Sequence, residues 1–337
     1  MTKKVAVLNG DGVGPELTAS AMRVVRATGA RIEFVACDGG AEWWQANGGN
    51  TLIPDASWKK MDEADAIFKG PTTTPGGIGS PKSVAVSIRQ RYDLYANVRP
   101  IVTYPGTGAP LGEVDFVCVR EGTEGLYFGE EVQLTPDVYI ALRKITRPAC
   151  SRIARYAFEE AQRRGWKAVV AVHKSNILKK TDGAFLEECE KVHKSYPGIE
   201  LEEYHVDNVA QQLVKNPAIF NRKVMLSTNL FMDILSEECS ALVGSIGLIY
   251  SANIGDRKAM FEPAHGSAPK YKGQDKVDPV ATVLAAAWML EYLGQPKQGE
   301  AIFAATKKVI AEKKTLTYDL GGNAKSSEMV EEIVRNL

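Results

Sequence analysis

The sequence predicts an α/β protein. Short apolar runs of about four to eight residues, bounded by glycines or charged residues, read as buried strands. Longer segments with helical spacing of apolar residues lie between them, and strands alternating with helices define this class. The chain has 337 residues, enough for two domains or one large one, and it shows no internal repeat and no low-complexity linker.

Taken in order, Val5–Leu8 is an apolar run closed by glycines, and a helix starts near Pro15. Arg31–Asp38 and Ala64–Gly70 are further strands, with a helix end over Ser57–Ala64 before the second. Phe116–Glu121 and Lys167–Lys174 complete the expected strands. Helices are expected over Ala149–Gly165, Asp182–Tyr196, Asn208–Asn216 and Asp233–Gly247. Three more fit Pro279–Gly294, Gly299–Lys314 and Ser326–Leu337. Pro/Gly-rich stretches fall at "GPTTTPGGIGSP" and "RPIVTYPGTGAPLG". The second has the composition of a crossing between domains, and equally that of an active-site loop.

Charge and composition exclude several functions. Lys plus Arg and Asp plus Glu both total 41, so no global field attracts nucleic acid or anionic lipid. No window is apolar for the length of a membrane span, and the first apolar run is too short for a signal peptide. Five cysteines without a C-x-x-C pair read as reduced thiols, and with four histidines a zinc site is not expected. The expected location is the cytoplasm.

Gly10, Gly12 and Gly14 follow a strand and precede a helix, as a dinucleotide fingerprint does. That fingerprint needs G-x-G-x-x-G, and Pro15 breaks it. A tight strand-to-helix turn with Glu16 near the positive helix end explains the cluster better. The later segment "HGSAPKYKGQDKVDP", His265 to Pro279, is an alternative phosphate site.

Other residues carry chemistry in principle. Arg89, Arg99 and Arg120 would suit a di- or tricarboxylate, because each guanidinium grips a carboxylate at two points. By spacing alone, three surface arginines in salt bridges are the better explanation. Asp233 and Glu237 are four apart, share a helix face and offer oxygen ligands to Mg2+ or Mn2+, with Asp207 as a third; a solvated acidic face is the plain alternative. Lys174 ends an apolar strand and Tyr127 lies in a glycine-flanked segment, a possible base and acid.

The order of these pieces is specific. "NGDGVGPE", "KGPTTTP", "LYANVRP", "VREGTEGLYFG", "VHKSN", "SANIGD", "EPAHGSAP" and "GGNA" together resemble the isocitrate/isopropylmalate dehydrogenase family of β-decarboxylating dehydrogenases. The resemblance implies a two-domain α/β fold with a large mixed sheet, not a Rossmann fold. Residues 1–98 and 250–337 would form the large cofactor domain, and residues 99–249 the small domain with the dimer interface. It implies a homodimer with shared active sites and a small hydroxy tricarboxylate as substrate. No nucleic acid or membrane partner is expected.

By the same resemblance, Arg89, Arg99 and Arg120 grip the substrate's carboxylates, with Thr74, Ser83 and Asn176 also at the substrate. Tyr127 is the proton donor, and Lys174, from the partner subunit, assists deprotonation of the hydroxyl. Asp233 and Glu237 of one subunit and Asp207 of the other bind Mg2+ or Mn2+; the family usually has aspartate at Glu237. His265, Gly266, Ser267, Ala268, Lys270, Tyr271, Val277, Asp278 and Tyr318 bind the adenosine side of the cofactor.

Ser83 and the neighbouring Lys82 favour a carboxylate as the substrate's third group, because a hydroxyl buried against an isopropyl group goes unpaired. Isocitrate is the preferred substrate. Ala85 departs from the isocitrate pattern and keeps homoisocitrate close behind, with 3-isopropylmalate third. Lys270-Tyr271, where NAD enzymes usually carry an acid, favours NADP, with NAD as the alternative. Tyr318 matches a tyrosine of NADP enzymes, but Gly322 stands where an arginine is usual. A catalytically silent regulatory subunit is the non-enzyme alternative. Retention of Tyr127, Lys174, Asp207 and the three arginines argues against it.

Overall fold

The computed structural model describes residues 2–77 and 79–337. The chain begins β1 (Lys3–Leu8), α1 (Gly14–Ala27), β2 (Ile32–Cys37), α2 (Ala41–Asn47), α3 (Asp55–Glu63), β3 (Ala66–Lys69) and α4 (Val84–Arg91). Then come β4 (Ala96–Val102), β5 (Asp115–Glu121), β6 (Glu131–Thr135), β7 (Val138–Ala141), α5 (Arg147–Arg163), β8 (Ala168–His173), α6 (Thr181–His193) and β9 (Glu200–His205). The remainder is α7 (Val206–Lys215), β10 (Lys223–Ser227), α8 (Asn229–Leu242), β11 (Tyr250–Ile254), β12 (Ala259–Pro263), α9 (Val280–Tyr292), α10 (Pro296–Glu312) and α11 (Ser326–Arg335).

Ten strands form one sheet in the order β2-β1-β3-β12-β11-β4-β5-β10-β8-β9. The outer pairs are parallel, while β12, β11, β4 and β5 run antiparallel to one another. This mixed order is not that of an all-parallel dinucleotide-binding sheet. Apolar residues of β1, β3, β5 and β12 are buried, and helices cover both faces. In α9, ten of thirteen residues are buried, which makes it an interior helix rather than an amphipathic surface one. Among the described residues no helix is long and apolar enough to cross a membrane.

Three local expectations change. "RPIVT", read as part of a Pro/Gly-rich crossing, lies largely inside β4, where Val98 and Ile101 are fully buried. Core packing outweighs the loop-like composition there, and the expected boundary at residues 98/99 falls within that strand. The helix expected over Asp233–Gly247 instead spans Asn229–Leu242 and stops ahead of Gly244, whose φ is +98°. Besides β4, β6 and β7, strands β9 to β12 are absent from the sequence-based expectations. Three of them are only five residues long, and β9 carries three glutamates on the sheet edge.

The early glycines make a packing turn. Gly12 has φ +58°, and a Cβ there would lie 2.1 Å from the carbonyl oxygen of Ser267. The Val13 N–H donates to that same oxygen at 3.0 Å. Pro15 sits in the first turn of α1, and Glu16 accepts the N–H groups of Gly273 and Asp275. The turn after β1 therefore seats the 265–275 loop. Gly12→Ala is expected to cost about 3 kcal/mol through backbone strain and the displaced loop. In a molecule this large that lowers the thermal midpoint by about 4 °C. An unchanged melting curve would contradict this account of the turn.

Candidate active site

The antiparallel centre of the sheet positions the arginines. In β4 and β5, Asn97 pairs with Arg120 and Arg99 with Cys118, so Asn97, Arg99 and Arg120 project from one face. Asn253 of β11 pairs with Asn97 and joins the same row. Arg89 reaches it from α4. All three arginines are buried, at 7%, 7% and 3% exposure, so the surface-salt-bridge alternative fails.

Buried guanidinium groups need partners, and each has them. Arg89 Nε donates to Asn253 Oδ1 at 2.7 Å, and its Nη2 lies 3.6 Å from Glu262. Arg99 donates to Asn97 at 3.2 Å and to Glu237 at 2.6 Å. Arg120 donates to Asn229 Oδ1 from Nε and Nη2 at 2.9 and 2.6 Å, and to Asp233 from Nη1. Burial, then the charge of Arg89, lowers Arg120 to about 10.

Helix α8 lies over this face and supplies the carboxylates. Asp233 and Glu237, one turn apart, meet Arg120 and Arg99. Tyr127, in the short turn Leu126–Phe128, donates to Asp233, and the Arg120 guanidinium lies 4.8 Å from its ring centre. Burial, then the hydrogen bond to Asp233, pushes the Tyr127 phenol up, which keeps its proton on at neutral pH.

Arg89, Arg99, Arg120, Tyr127 and Asp233 line a cavity of about 320 Å3 together with Thr74, Ser83, Ala85, Val86, Lys69 and Glu262. Ser83 is the residue before α4 and makes no side-chain cap, so its hydroxyl is not used by the helix. Lys82 is turned away and donates to Gln90 at 3.0 Å. The expectation that Lys82 supports the third substrate group is therefore corrected: its ammonium serves the outer face of α4.

Sequence reading missed Lys69, Glu262, Asn97, Asn229 and Asn253. Lys69 and Glu262 form a buried pair at 2.8 Å. They end or nearly end the apolar strands β3 and β12, a position where ligand-binding side chains collect in open sheets. Burial raises Glu262, but Lys69 and Arg89 outweigh it and hold this carboxyl at about 2.

A second cavity of about 360 Å3 adjoins the first and shares His265 and Gly266 with it. Ala268, Tyr271, Val277, Asp278 and Tyr318 line it with Asp319. Ser267 is bound to Thr73, hydroxyl to hydroxyl, at 2.6 Å. At the mouth, the Tyr271 and Tyr318 rings lie 6.0 Å apart. Lys270 stands 4.8 Å from the Tyr271 ring centre and Lys276 4.7 Å from that of Tyr318. The Tyr271 phenol is lowered by Tyr318 and then by Lys270. Lys276 was not singled out from sequence. Gly322 is sterically required here, since a Cβ would lie 2.0 Å from the Leu316 carbonyl oxygen.

Two buried atoms in this pocket have no protein partner, His265 Nε2 and Asp278 Oδ2. Burial lowers His265 and keeps it neutral; burial, then Asp319, raises Asp278 well above its ordinary value. A pocket with free buried polar atoms and a cationic, phenolic rim fits an adenine nucleotide.

Lys174, Asn176 and Asp207 are not brought to the cavity within one chain. Lys174 follows β8 and holds Asp207, at the start of α7, at 2.6 Å, while Asn176 is exposed on the next turn. Among the described residues no three His, Cys, Asp or Glu side chains gather as a metal site. Asp233 and Glu237 provide hard oxygen donors that fit Mg2+ or Mn2+.

An arginine-lined cavity beside a nucleotide-sized pocket suits an enzyme that acts on a small anionic substrate with a nucleotide. The chain belongs to the isocitrate/isopropylmalate dehydrogenase family, whose sequence model matches residues 4–333. It is 40% identical over 334 residues to 3-isopropylmalate dehydrogenase of Methanothermobacter thermautotrophicus, covering 99% of this chain and 98% of that one. It is also 40% identical over 344 residues to homoisocitrate dehydrogenase of Methanocaldococcus jannaschii, covering 98% and 96%. The crystal structure of isocitrate dehydrogenase from Methylococcus capsulatus superposes with a TM-score of 0.95 at 39% identity, covering 99% of both chains. The family places this protein among NAD(P)-dependent β-decarboxylating dehydrogenases, which catalyse metal-dependent oxidative decarboxylation. Members generally use Mg2+ or Mn2+, act on small hydroxy acids and are commonly dimeric.

The Lys69–Glu262 pair has a pH signature. A carboxyl held from 4.5 down to about 2 contributes stability above its unfolded value and loses it as pH falls through the folded one. Glu262→Gln leaves the Lys69 charge buried and is expected to cost about 3 kcal/mol near neutral pH. In urea unfolding the gap to wild type should narrow as pH falls from 4.5 towards 2. A gap independent of pH would contradict the assignment.

Proposed function

We propose that this protein oxidises and decarboxylates isocitrate to 2-oxoglutarate and CO2 with NADP as acceptor, as a homodimer whose two cavities are each completed by the partner. The observation that carries the substrate is Ser83. Its hydroxyl lines the cavity at the N-terminal, electropositive end of α4 and caps nothing, a setting suited to a carboxylate and poorly suited to an isopropyl group. Homoisocitrate is the second reading, supported by the small Ala85 in the same wall, which leaves room for one more methylene.

In this reading, Arg99 and Arg120 exchange their α8 carboxylates for those of the substrate, and Arg89 joins them in fixing its orientation. Thr74 and Asn176 contribute at the substrate's edge. The partner subunit's Lys174 receives the proton of the substrate hydroxyl. Tyr127 returns a proton to the carbon that has lost CO2, a role supported by its raised pKa. Asp233, Glu237 and the partner subunit's Asp207 would hold the divalent cation, which supplies polarisation of the substrate oxygens. The nucleotide supplies the hydride acceptor, and its adenosine lies against His265, Gly266, Ser267, Ala268, Val277 and Asp278.

The dimer is supported by three features. Lys174 and Asp207 stand apart from the cavity. The β6–β7 hairpin is a separate two-stranded sheet with every strand residue exposed. It presents Val132, Leu134, Val138, Tyr139 and Ile140 to solvent, which a lone hairpin does not sustain without a partner surface. The two sides of the sheet, residues 1–98 with 250–337 and residues 99–249, are the proposed domains, with β4 running between them.

NADP preference rests on the ammonium groups of Lys270 and Lys276 beside the Tyr271 and Tyr318 phenols. Lys276 stands in for the arginine that Gly322 excludes. Steady-state rates with isocitrate, homoisocitrate and 3-isopropylmalate, each with NADP and NAD, test the reading. Isocitrate with NADP should give the highest kcat/KM; a clear win for 3-isopropylmalate would end the Ser83 reading. Lys276→Ala is expected to raise KM for NADP about 10-fold, the worth of a charged hydrogen bond, and to leave NAD unaffected. An equal effect on both would show that Lys276 does not meet a 2′-phosphate.

A further inference from the structure

The segment carrying Lys174 is anchored by one buried carboxylate. Asp182, in the first turn of α6, is fully buried. Its Oδ2 accepts the backbone N–H of Lys174 at 2.7 Å, and its Oδ1 accepts from Arg143 Nη1 at 2.6 Å. The same Arg143 nitrogen donates to Thr181 Oγ1 at 2.8 Å, and Nη2 donates to Thr228 Oγ1 at 2.9 Å. Thr228 is the residue before α8, the helix of Asp233 and Glu237. Arg143 itself lies two residues after β7, where the exposed hairpin rejoins the body.

One ion pair thus ties together three segments: the hairpin, the Lys174 turn and the start of α8. Among the described residues, the far end of the Lys174 side chain is held by Asp207 alone, whose side chain is 68% exposed, and an exposed pair contributes little. The backbone anchor at Asp182 is buried, doubly bonded and unscreened. It fixes where the Lys174 side chain begins.

We propose that Asp182, held by Arg143, is a positioning residue for Lys174 and couples its placement to the seating of the β6–β7 hairpin. This rests on the reading of Lys174 as the group that takes the hydroxyl proton in the partner's cavity. A carboxylate is required because both of its neighbours are donors. An asparagine of the same shape has one acceptor oxygen, so its NH2 must face either Arg143 or the Lys174 N–H. The anchor then loosens without loss of volume.

The test is a double-mutant cycle on the full-length dimer, with Asp182→Asn, Lys174→Met and both together. Asp182→Asn should lower kcat about 10- to 100-fold while KM for the hydroxy acid changes less than about 3-fold. Its NADPH affinity and dimer mass should match wild type. In the Lys174→Met background the same change should have no further effect on the residual kcat. Equal loss in both backgrounds, or an unaltered kcat in Asp182→Asn, overturns the proposal. If Asp182→Asn does not fold, Arg143→Lys serves in the same cycle. It keeps a charge on Asp182 but gives up the fork to Thr228, and its milder loss of kcat must likewise vanish on Lys174→Met. Full activity in Lys174→Met alone would remove the role of Lys174 and this inference with it. An impaired Lys174→Met with an additive cycle removes only the inference.

Discussion

A buried guanidinium cannot be left unpaired, and three of them meet in the middle of this sheet. That constraint organises the rest of the site. Asn97, Asn253 and Asn229 hold the arginines' inner nitrogens, and carboxylates from α8 and β12 take the outer ones. The partners from α8 are exchangeable in kind. Asp233 and Glu237 are the more exposed members of their pairs, at 26% and 46%, so an incoming carboxylate can replace them without opening the core. The inner partners and the Lys69–Glu262 pair are sealed and keep the geometry fixed during that exchange. Preorganisation of this type places binding energy in orientation rather than in rearrangement.

The nucleotide pocket is arranged on the same plan, with rigid backbone behind and charged rim in front. The turn after β1 offers no site of its own. It packs Gly12 under the Ser267 carbonyl and lends the Glu16 carboxylate to the loop's N–H groups. Ala268 in that loop has φ +39°, a conformation that a non-glycine residue holds only when its surroundings impose it. At the rim, two lysines flank two phenols.

Much of this was legible in the sequence, and the exceptions have physical causes. The α/β class and the long helices follow from periodicity, because α1, α5 and α10 each bury a single face. The motifs in order pointed to the mixed sheet and the family. Spacing alone misjudged the arginines, since burial depends on the cross-strand register of β4, β5 and β11, which no local pattern encodes. Lys69 and Glu262 went unnoticed because each is one charge at the end of a short apolar strand, and only β3–β12 pairing brings them together. Lys82 misled for the opposite reason: it is adjacent to Ser83 in sequence but faces Gln90. Lys276 lies five residues beyond Tyr271, and the loop must fold back before its ammonium reaches the phenols.

One chain leaves the chemistry divided, with the arginines and Tyr127 in one place and Lys174 and Asp207 in another. The central claim is that a second copy closes this gap. Co-expression of Arg120→Met and Lys174→Met chains tests it directly, each variant being expected to keep only a small residual activity alone. Random pairing makes half the dimers mixed, and in a mixed dimer one cavity carries both changes and the other neither. With cavities completed across the interface, the co-expressed dimer pool should recover about a quarter of wild-type activity. Activity no higher than that of the separate variants would contradict it and would place Lys174 outside its partner's cavity.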